Sequence, residues 1–382
     1  MWRDRRVLAV LVLSCVVAAA LWFVRSRTAD GPAKEAEAEE SAQEPLSDDK
    51  RKVSAEERAA LIARAKVWRT PDVPIARATF TGAATIDSLS CKFKLTELGG
   101  TTPKFDCTAE DGSEMRIKYG KGPEIPAEVA ATRLLHALGF GADSVTLVEK
   151  LRCYGCPEEP FSTMKVVEVT GSEPVYRKVI DYNDFEDFEW VALERKFNAR
   201  PIETGKLEGW AFFELDSAVG GSPKAHVDAL RMLAVFLAHW DNKSENQRLV
   251  CLSKKWPEDT PCPEPFLMLQ DVGATFGPTK VDLDAWEKAA IWADRGSCRI
   301  SMRDMPYGGA TFTDAQVSEA GRQFIGKLLS ALSDQQIAEL FSGARFAEKR
   351  GVFTATKPVS EWVRVFKVKV QTIMDGPACP SA

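Results

Sequence analysis

A run of helix-spaced apolar residues that delivers a polar loop to a hairpin constrains this chain more than any other feature. Val227, Leu230, Leu233 and Leu237, with the bulky Phe236, recur at helical spacing within residues 223–239, which predicts a buried helix begun by Pro223. It is followed by His239-Trp240-Asp241-Asn242-Lys243-Ser244-Glu245-Asn246. Residues 247–252 and 266–270 then read as two strands of a hairpin. The second strand ends at Asp271, in the run Asp271-Val272-Gly273. A helix, a loop and a hairpin in this order turn both aspartates toward one cleft.

A single Asp in such a loop is more often a cap than a reactive group. Four polar residues at this spacing after a buried helix are harder to obtain that way. Asp241 can orient or deprotonate a hydroxyl, and Lys243 can neutralise a moving phosphoryl group. Asn246 and Asp271 can hold Mg²⁺ or Mn²⁺ ions that bridge phosphates. His239, beside Trp240, has the plainer reading of a ring packed beneath the loop.

Upstream, residues 78–120 turn to strand patterning. Cys91–Leu95 and Lys104–Cys107 flank Gly99-Gly100-Thr101-Thr102-Pro103, and Asp111-Gly112 turns the chain into a third strand that carries Lys118. Glycines in the first turn let backbone amides approach phosphate oxygens, and a lysine on the third strand can hold them. Most Gly-Gly turns are only hairpins, because glycine supplies the positive φ they need. Residues 126–139 predict a helix with Pro126 near its start and Gly139 at its stop. Glu128 then has two readings: a partner for Lys118, or a first-turn charge at the helix dipole.

These segments together resemble a known superfamily. Gly99-Gly100-Thr101-Thr102-Pro103-Lys104, then Lys118, then Glu128 five residues before Arg133-Leu134, is similar to the phosphate loop, nucleotide lysine and helix of HipA-type kinases. Asp241-x-Lys243-x-x-Asn246 with Asp271 resembles the catalytic and metal-binding loops shared by those kinases, phosphatidylinositol kinases and secretory-pathway atypical kinases. The resemblance covers residues 91–148 and 223–277. Trp240 stands where protein kinases have Arg, and Asp271-Val272-Gly273 replaces Asp-Phe-Gly, so control by an Arg-bound phosphorylated loop is not expected.

The resemblance implies an α+β, bilobal, protein-kinase-like fold with a small β-rich N-lobe and a mainly helical C-lobe. It also implies transfer of phosphate from ATP to a hydroxyl acceptor on protein, glycan or lipid, with Mg²⁺ or Mn²⁺. Asp241 and Lys243 would be catalytic, and Asn246 and Asp271 metal ligands. Gly99, Gly100, Thr101, Thr102, Lys104, Lys118 and Glu128 would hold the nucleotide. Two rivals stay open: a pseudokinase that binds nucleotide or a partner without turnover, and a nucleotidyl transferase on the same fold.

Composition sets the compartment. A net charge of −5 argues against a nucleic-acid binder that neutralises many phosphates, so any basic site must be local. Residues 7–24, VLAVLVLSCVVAAALWFV, are free of charge and follow Arg3, Arg5 and Arg6, which predicts a single membrane-spanning anchor rather than a cleaved signal. After the short basic segment 1–6 and this anchor, residues 25–54 read as an acidic disordered linker. Residues 55–165 are then expected to form the N-lobe and residues 166–382 the C-lobe.

Cys15 apart, eight cysteines remain. Turns would bring Cys91 to Cys107 and Cys251 to Cys262, Cys153 and Cys156 share a loop, and Cys298 with Cys379 would staple the end of the C-lobe. Disulfides in an oxidising compartment follow, and with them an extracytoplasmic domain, periplasmic or luminal. A redox pair or half a zinc site at Cys153-Tyr154-Gly155-Cys156 lacks a second such motif, and the chain has three histidines. Residues 181–190, acids interleaved with rings, read as a solvated connection between lobes. Helices are expected at residues 314–332, 333–341 and 359–374.

Overall fold

The computed structural model describes residues 51–80, 85–204, 209–216, 221–253, 256–257, 260–278, 281–303, 305–306, 311–312, 314–348 and 357–380. The expected anchor, and the linker up to residue 50, lie outside them. Among the described residues no helix is long and apolar enough to cross a membrane.

The chain enters through β1 (Arg51–Lys52) and α1 (Ala55–Arg64). Ser54 caps α1, its Oγ accepting from Glu57 N at 3.1 Å. Three antiparallel strands follow: β2 (Thr85–Lys94), β3 (Lys104–Ala109) and β4 (Glu114–Lys118). Strand alternation sends Phe93, Phe105, Cys107, Met115 and Ile117 into one apolar core, leaving Asp106, Arg116 and Lys118 on the other face. Next comes α2 (Glu124–Leu138), stopped where Gly139 takes φ 88°. A Cβ at Gly139 would lie 2.2 Å from the Arg69 carbonyl oxygen, so this stop admits only glycine.

After the short β5 (Gly141–Ala142) come β6 (Ser144–Tyr154), α3 (Pro160–Thr170), α4 (Glu173–Tyr176) and β7 (Phe185–Arg195). β6 pairs with β2 in parallel and with β7 antiparallel, while β7 pairs with β4, closing a barrel in the order β2-β3-β4-β7-β6. Residues 185–190 of the acidic aromatic stretch are therefore not a connection but the first half of β7, and residues 181–184 turn the chain into it. Its acids face bases across the ladder, Asp187 opposite Arg152 and Glu189 opposite Lys150. Phe188 packs against Phe105 and Tyr119. The alternation was in the sequence, masked by its charge.

Beyond β8 (Arg200–Glu203), α5 (Lys224–Leu237) is the expected buried helix. β9 (Gln247–Cys251) and β10 (Pro265–Leu269) form the expected hairpin, in a mixed sheet ordered β1-β8-β9-β10-β5. The remaining elements are α6 (Leu283–Lys288), β11 (Arg299–Ser301), β12 (Asp314–Gln316), α7 (Glu319–Ser330), α8 (Asp334–Gly343) and α9 (Val359–Met374). The helix expected from residue 314 starts only at Glu319, because residues 314–316 pair with β11 and Ser318 caps the helix. All four expected disulfides are present, Cys91–Cys107, Cys153–Cys156, Cys251–Cys262 and Cys298–Cys379.

Among the described residues three apolar cores form: one in the barrel, a larger one around α5, and a small one of Val250, Phe266 and Met268 on the β9–β10 hairpin. Leu61 and Ile62 of α1 and the apolar face of α2 belong to the larger core. Arg58 of α1 is tied to Glu214, Nη1 to Oε1 2.6 Å. Leu61, Ile62, Ala65 and Val67 thus pack in the larger core, and the barrel runs on to Arg195, since β7 bridges β4 and β6. Arg51 and Lys52, expected in the linker, pair with Ile202 and Glu203.

Candidate nucleotide and phosphoryl site

Lys118 ends β4 on the face that looks away from the barrel core. Its Nζ donates to both carboxylate oxygens of Glu128, at 2.6 and 2.7 Å. Glu128 is wholly buried in the second turn of α2, which removes the first-turn dipole reading. A second carboxylate, missed by the sequence reading, lies close: Glu194 Oε2 is 3.3 Å from Lys118 Nζ. The register places Lys118 opposite Ala192, so Glu194, two residues on, shares its face. Only recognition of β7 as a strand could have revealed it.

The charges around Lys118 are unequal. Burial alone would lower the lysine, but Glu128, Glu194 and Asp271 outweigh it and hold Lys118 well above the ordinary lysine value. Burial, opposed by Lys118 but joined by Glu194 and Asp271, pushes Glu128 up to about 8. Glu194 is equally buried, yet Lys118 and Lys196 hold it below the ordinary carboxylate value.

The loop between β2 and β3 folds over this group. Gly100 takes φ 71°, and a Cβ there would sit 3.2 Å from Lys104 Nζ. Burial and the nearby Lys118 and Arg116 lower Lys104, while Asp271 and Glu124 act in the opposite sense. Thr102 Oγ1 donates to Glu124 Oε2 at 2.5 Å. Glu124 in turn lies against Gly273, where a Cβ would meet its Cγ at 2.3 Å. The first residue of α2 thereby joins the glycine loop to the segment after Asp271. Gly99 borders open space and Thr101 is exposed, so neither is drawn into this packing.

Opposite stands the loop after α5. His239 is fully buried, and burial pushes its ring down to about 4 despite Asp271 and Asp241 nearby, which fits the packing role. Asn242 fixes the loop: its Nδ2 donates to His239 O at 3.0 Å, and its Oδ1 accepts from Thr311 N at 2.8 Å. Asn246 links both aspartates, since its Nδ2 donates to Asp241 O at 2.8 Å and its own carbonyl accepts from Asp271 N at 3.3 Å. Lys243 Nζ lies 3.7 Å from Asp241 Oδ1. That oxygen is buried without a hydrogen-bond partner among the described residues.

Asp271 stays ionised: burial is offset by Lys118 and by the Gly273 N–H, which donates to Oδ1 at 3.3 Å. Among the described residues no three His, Cys, Asp or Glu side chains converge on a metal-sized site. The Asn246 amide is the natural complement to Asp271, because its nitrogen is committed to Asp241 O and its oxygen is the atom left to coordinate.

No family model matches the chain, and no curated protein does. Among solved structures it is similar to the Helicobacter pylori proinflammatory kinase CtkA, at 10% identity and TM-score 0.39, over 76% of this chain and 94% of that one. It is also similar to the Golgi casein kinase with Mn/ADP bound, at 11% identity and TM-score 0.34, over 76% of this chain and 73% of that one. Both are too distant to carry a superfamily or a function across.

Proposed function

We propose that this chain is an ATP-dependent phosphotransferase acting on a hydroxyl acceptor. The observation that carries the reading is the buried Oδ1 of Asp241, which accepts no hydrogen bond among the described residues, lies 3.7 Å from Lys243 Nζ and is tied through Asn246 to Asp271. A desolvated carboxylate oxygen with no donor costs free energy unless something arrives to meet it. An acceptor hydroxyl answers that need. Asp241 receives its proton as the acceptor oxygen bonds to the γ-phosphorus and the bond to the β-phosphate oxygen breaks, releasing ADP. Lys243 offsets the charge on the moving group, and Lys118, held by Glu128, meets the donor's phosphates. A divalent ion held by Asn246 and Asp271 would neutralise phosphate charge.

The four disulfides support an oxidising compartment, and residues 7–24 an anchor that tethers the domain beside a membrane. One observation favours a second reading, nucleotidyl transfer. Alternation puts Asp106, Arg116, Lys118 and Glu194 on one face, with Arg116 Nε 2.8 Å from Asp106 Oδ1. An adenine ring against that wall would meet ion pairs, whereas a nucleotide bound in reverse would not.

Mass analysis after incubation with ATP, Mn²⁺ and candidate acceptors separates the readings, since phosphorylation and nucleotidylation add different masses. Thermal-shift titration of Asp271→Ala accompanies it. The variant should lose all metal-dependent stabilisation by ATP, and a shift equal to wild type would refute the assignment.

A further inference from the structure

A cavity of about 930 Å³ opens at the C-terminal end of α2. Its walls carry Arg69, Arg77, Arg133, His136, Arg195 and Lys196, against one carboxylate, Asp72, among the described residues that line it. In a chain with 55 acidic and 50 basic residues, such a concentration of one sign is local and directional. Phe80, Phe140 and Phe197 supply apolar surface between the cations, and the Arg69 guanidinium stands 5.9 Å from the Phe197 ring centre. Arg133 is largely desolvated, which pushes its guanidinium down to about 10.

Lys196 connects this cavity to the cleft. Its Nζ lies 3.1 Å from Asp143 Oδ2 and is ion-paired with Glu194. Glu194 in turn reaches Lys118 at 3.3 Å.

We propose that the cavity binds a small polyanion, a ring bearing two or more phosphate or sulfate esters, and that its occupancy is felt at Lys118 through Lys196 and Glu194. Guanidinium forks match phosphate and sulfate oxygens in pairs, and the aromatic surface suits the ring that spaces them. The volume is that of a ligand pocket. An anion beside Lys196 competes with Glu194 for its ammonium. Glu194 then leans on Lys118, and nucleotide affinity falls. The binding site is independent of the proposed phosphotransfer; only the coupling rests on it.

Calorimetric titration of the folded chain, without nucleotide or metal, tests the site. One arm uses myo-inositol hexakisphosphate and the other a sulfated disaccharide, which separates a phosphate source from a sulfate source. Saturable one-site binding of at least one probe is expected. It should weaken tenfold or more in the Arg77→Glu/Arg195→Glu double variant, whose exposed positions leave the melting temperature unchanged, and persist in Asp271→Ala. No saturable binding of either probe up to about 1 mM, equal binding by the double variant, or loss in Asp271→Ala would each overturn the site. For the coupling, the probe should lower wild-type nucleotide affinity severalfold and leave that of Lys196→Met unmoved. A wild type whose nucleotide affinity ignores the probe removes the coupling. A wild type that binds no nucleotide removes the phosphotransfer reading, while the probe titration still decides the site.

Discussion

Lys118 and Asp241 stand on opposite sides of one proposed cleft and differ in how far their charges are met. Lys118 Nζ has three carboxylate oxygens within 3.3 Å. Asp241 Oδ1 has Lys243 at 3.7 Å and no hydrogen-bond partner among the described residues. A buried lysine so surrounded is part of what ties β4 to α2 and β7, because removing it strands the carboxylates. A buried carboxylate oxygen left short does the reverse. It lowers stability by roughly 1–3 kcal/mol, a cost that the proposed role at an acceptor hydroxyl would explain. The barrel side of the site is therefore built, and the loop side is poised.

The sharpest way to break this contrast is Asp241→Asn. Turnover should fall by ~10² to 10⁴, the usual size of a general-base contribution, with nucleotide affinity nearly unchanged. Folding stability should change little, since the exchange removes a buried oxygen that accepts no hydrogen bond but also a charge 3.7 Å from Lys243 Nζ. Initial rates, nucleotide titration and urea unfolding on the same preparation measure all three. A variant that turns over like wild type would remove Asp241 from the chemistry.

Lys118→Ala is the mirror experiment, and its effect should be read in stability as well as in binding. Glu128, Glu194 and Asp271 would face one another without their shared cation, costing about 3–5 kcal/mol. Nucleotide affinity and turnover should drop together, because in the proposed reading Lys118 would meet the donor before and during transfer. Urea unfolding of Lys118→Ala indistinguishable from wild type would mean that the barrel side is no more committed than the loop side.

The same contrast explains what could be read in the sequence. The loop side was legible because its residues are local: Asp241, Lys243 and Asn246 lie within six positions after an apolar helix, and Asp271 ends the next hairpin. The Lys118–Glu128 pair was legible as one of two options, and burial of Glu128 within α2 decided between them. Glu194 was not legible, since it reaches Lys118 only through the pairing of β7 with β4, and the acids at 184, 186, 187 and 189 disguised that strand as a solvated stretch. Glu124 was hidden for a similar reason. Its importance lies in contacts with Thr102 and Gly273, which no spacing along the chain announces. The disulfides were readable where hairpins bring cysteines together, and less constrained for Cys298 and Cys379, which are 81 residues apart.

His239 gives the smallest effect and separates packing from chemistry beneath the loop. Its ring is pushed down by burial from 6.5 to about 4, so the folded state resists protonation that the unfolded chain accepts. Stability from this group is therefore complete above pH 6.5 and is lost as pH falls toward 4, by about 3 kcal/mol in total. Glu128 works in the opposite sense. Its raised value means stability that is present at low pH and lost as pH rises through about 8, so wild type alone would show a mixture. The difference between wild type and His239→Phe cancels that term, because Glu128 is common to both. Urea unfolding of both proteins at pH 7.5 and pH 4.5 should show the variant gaining about 2–3 kcal/mol on wild type as the pH falls. Parallel pH dependence in the two would mean that the imidazole is protonated in the folded protein, and His239 would then have to be returned to the list of groups that can exchange a proton with Asp241.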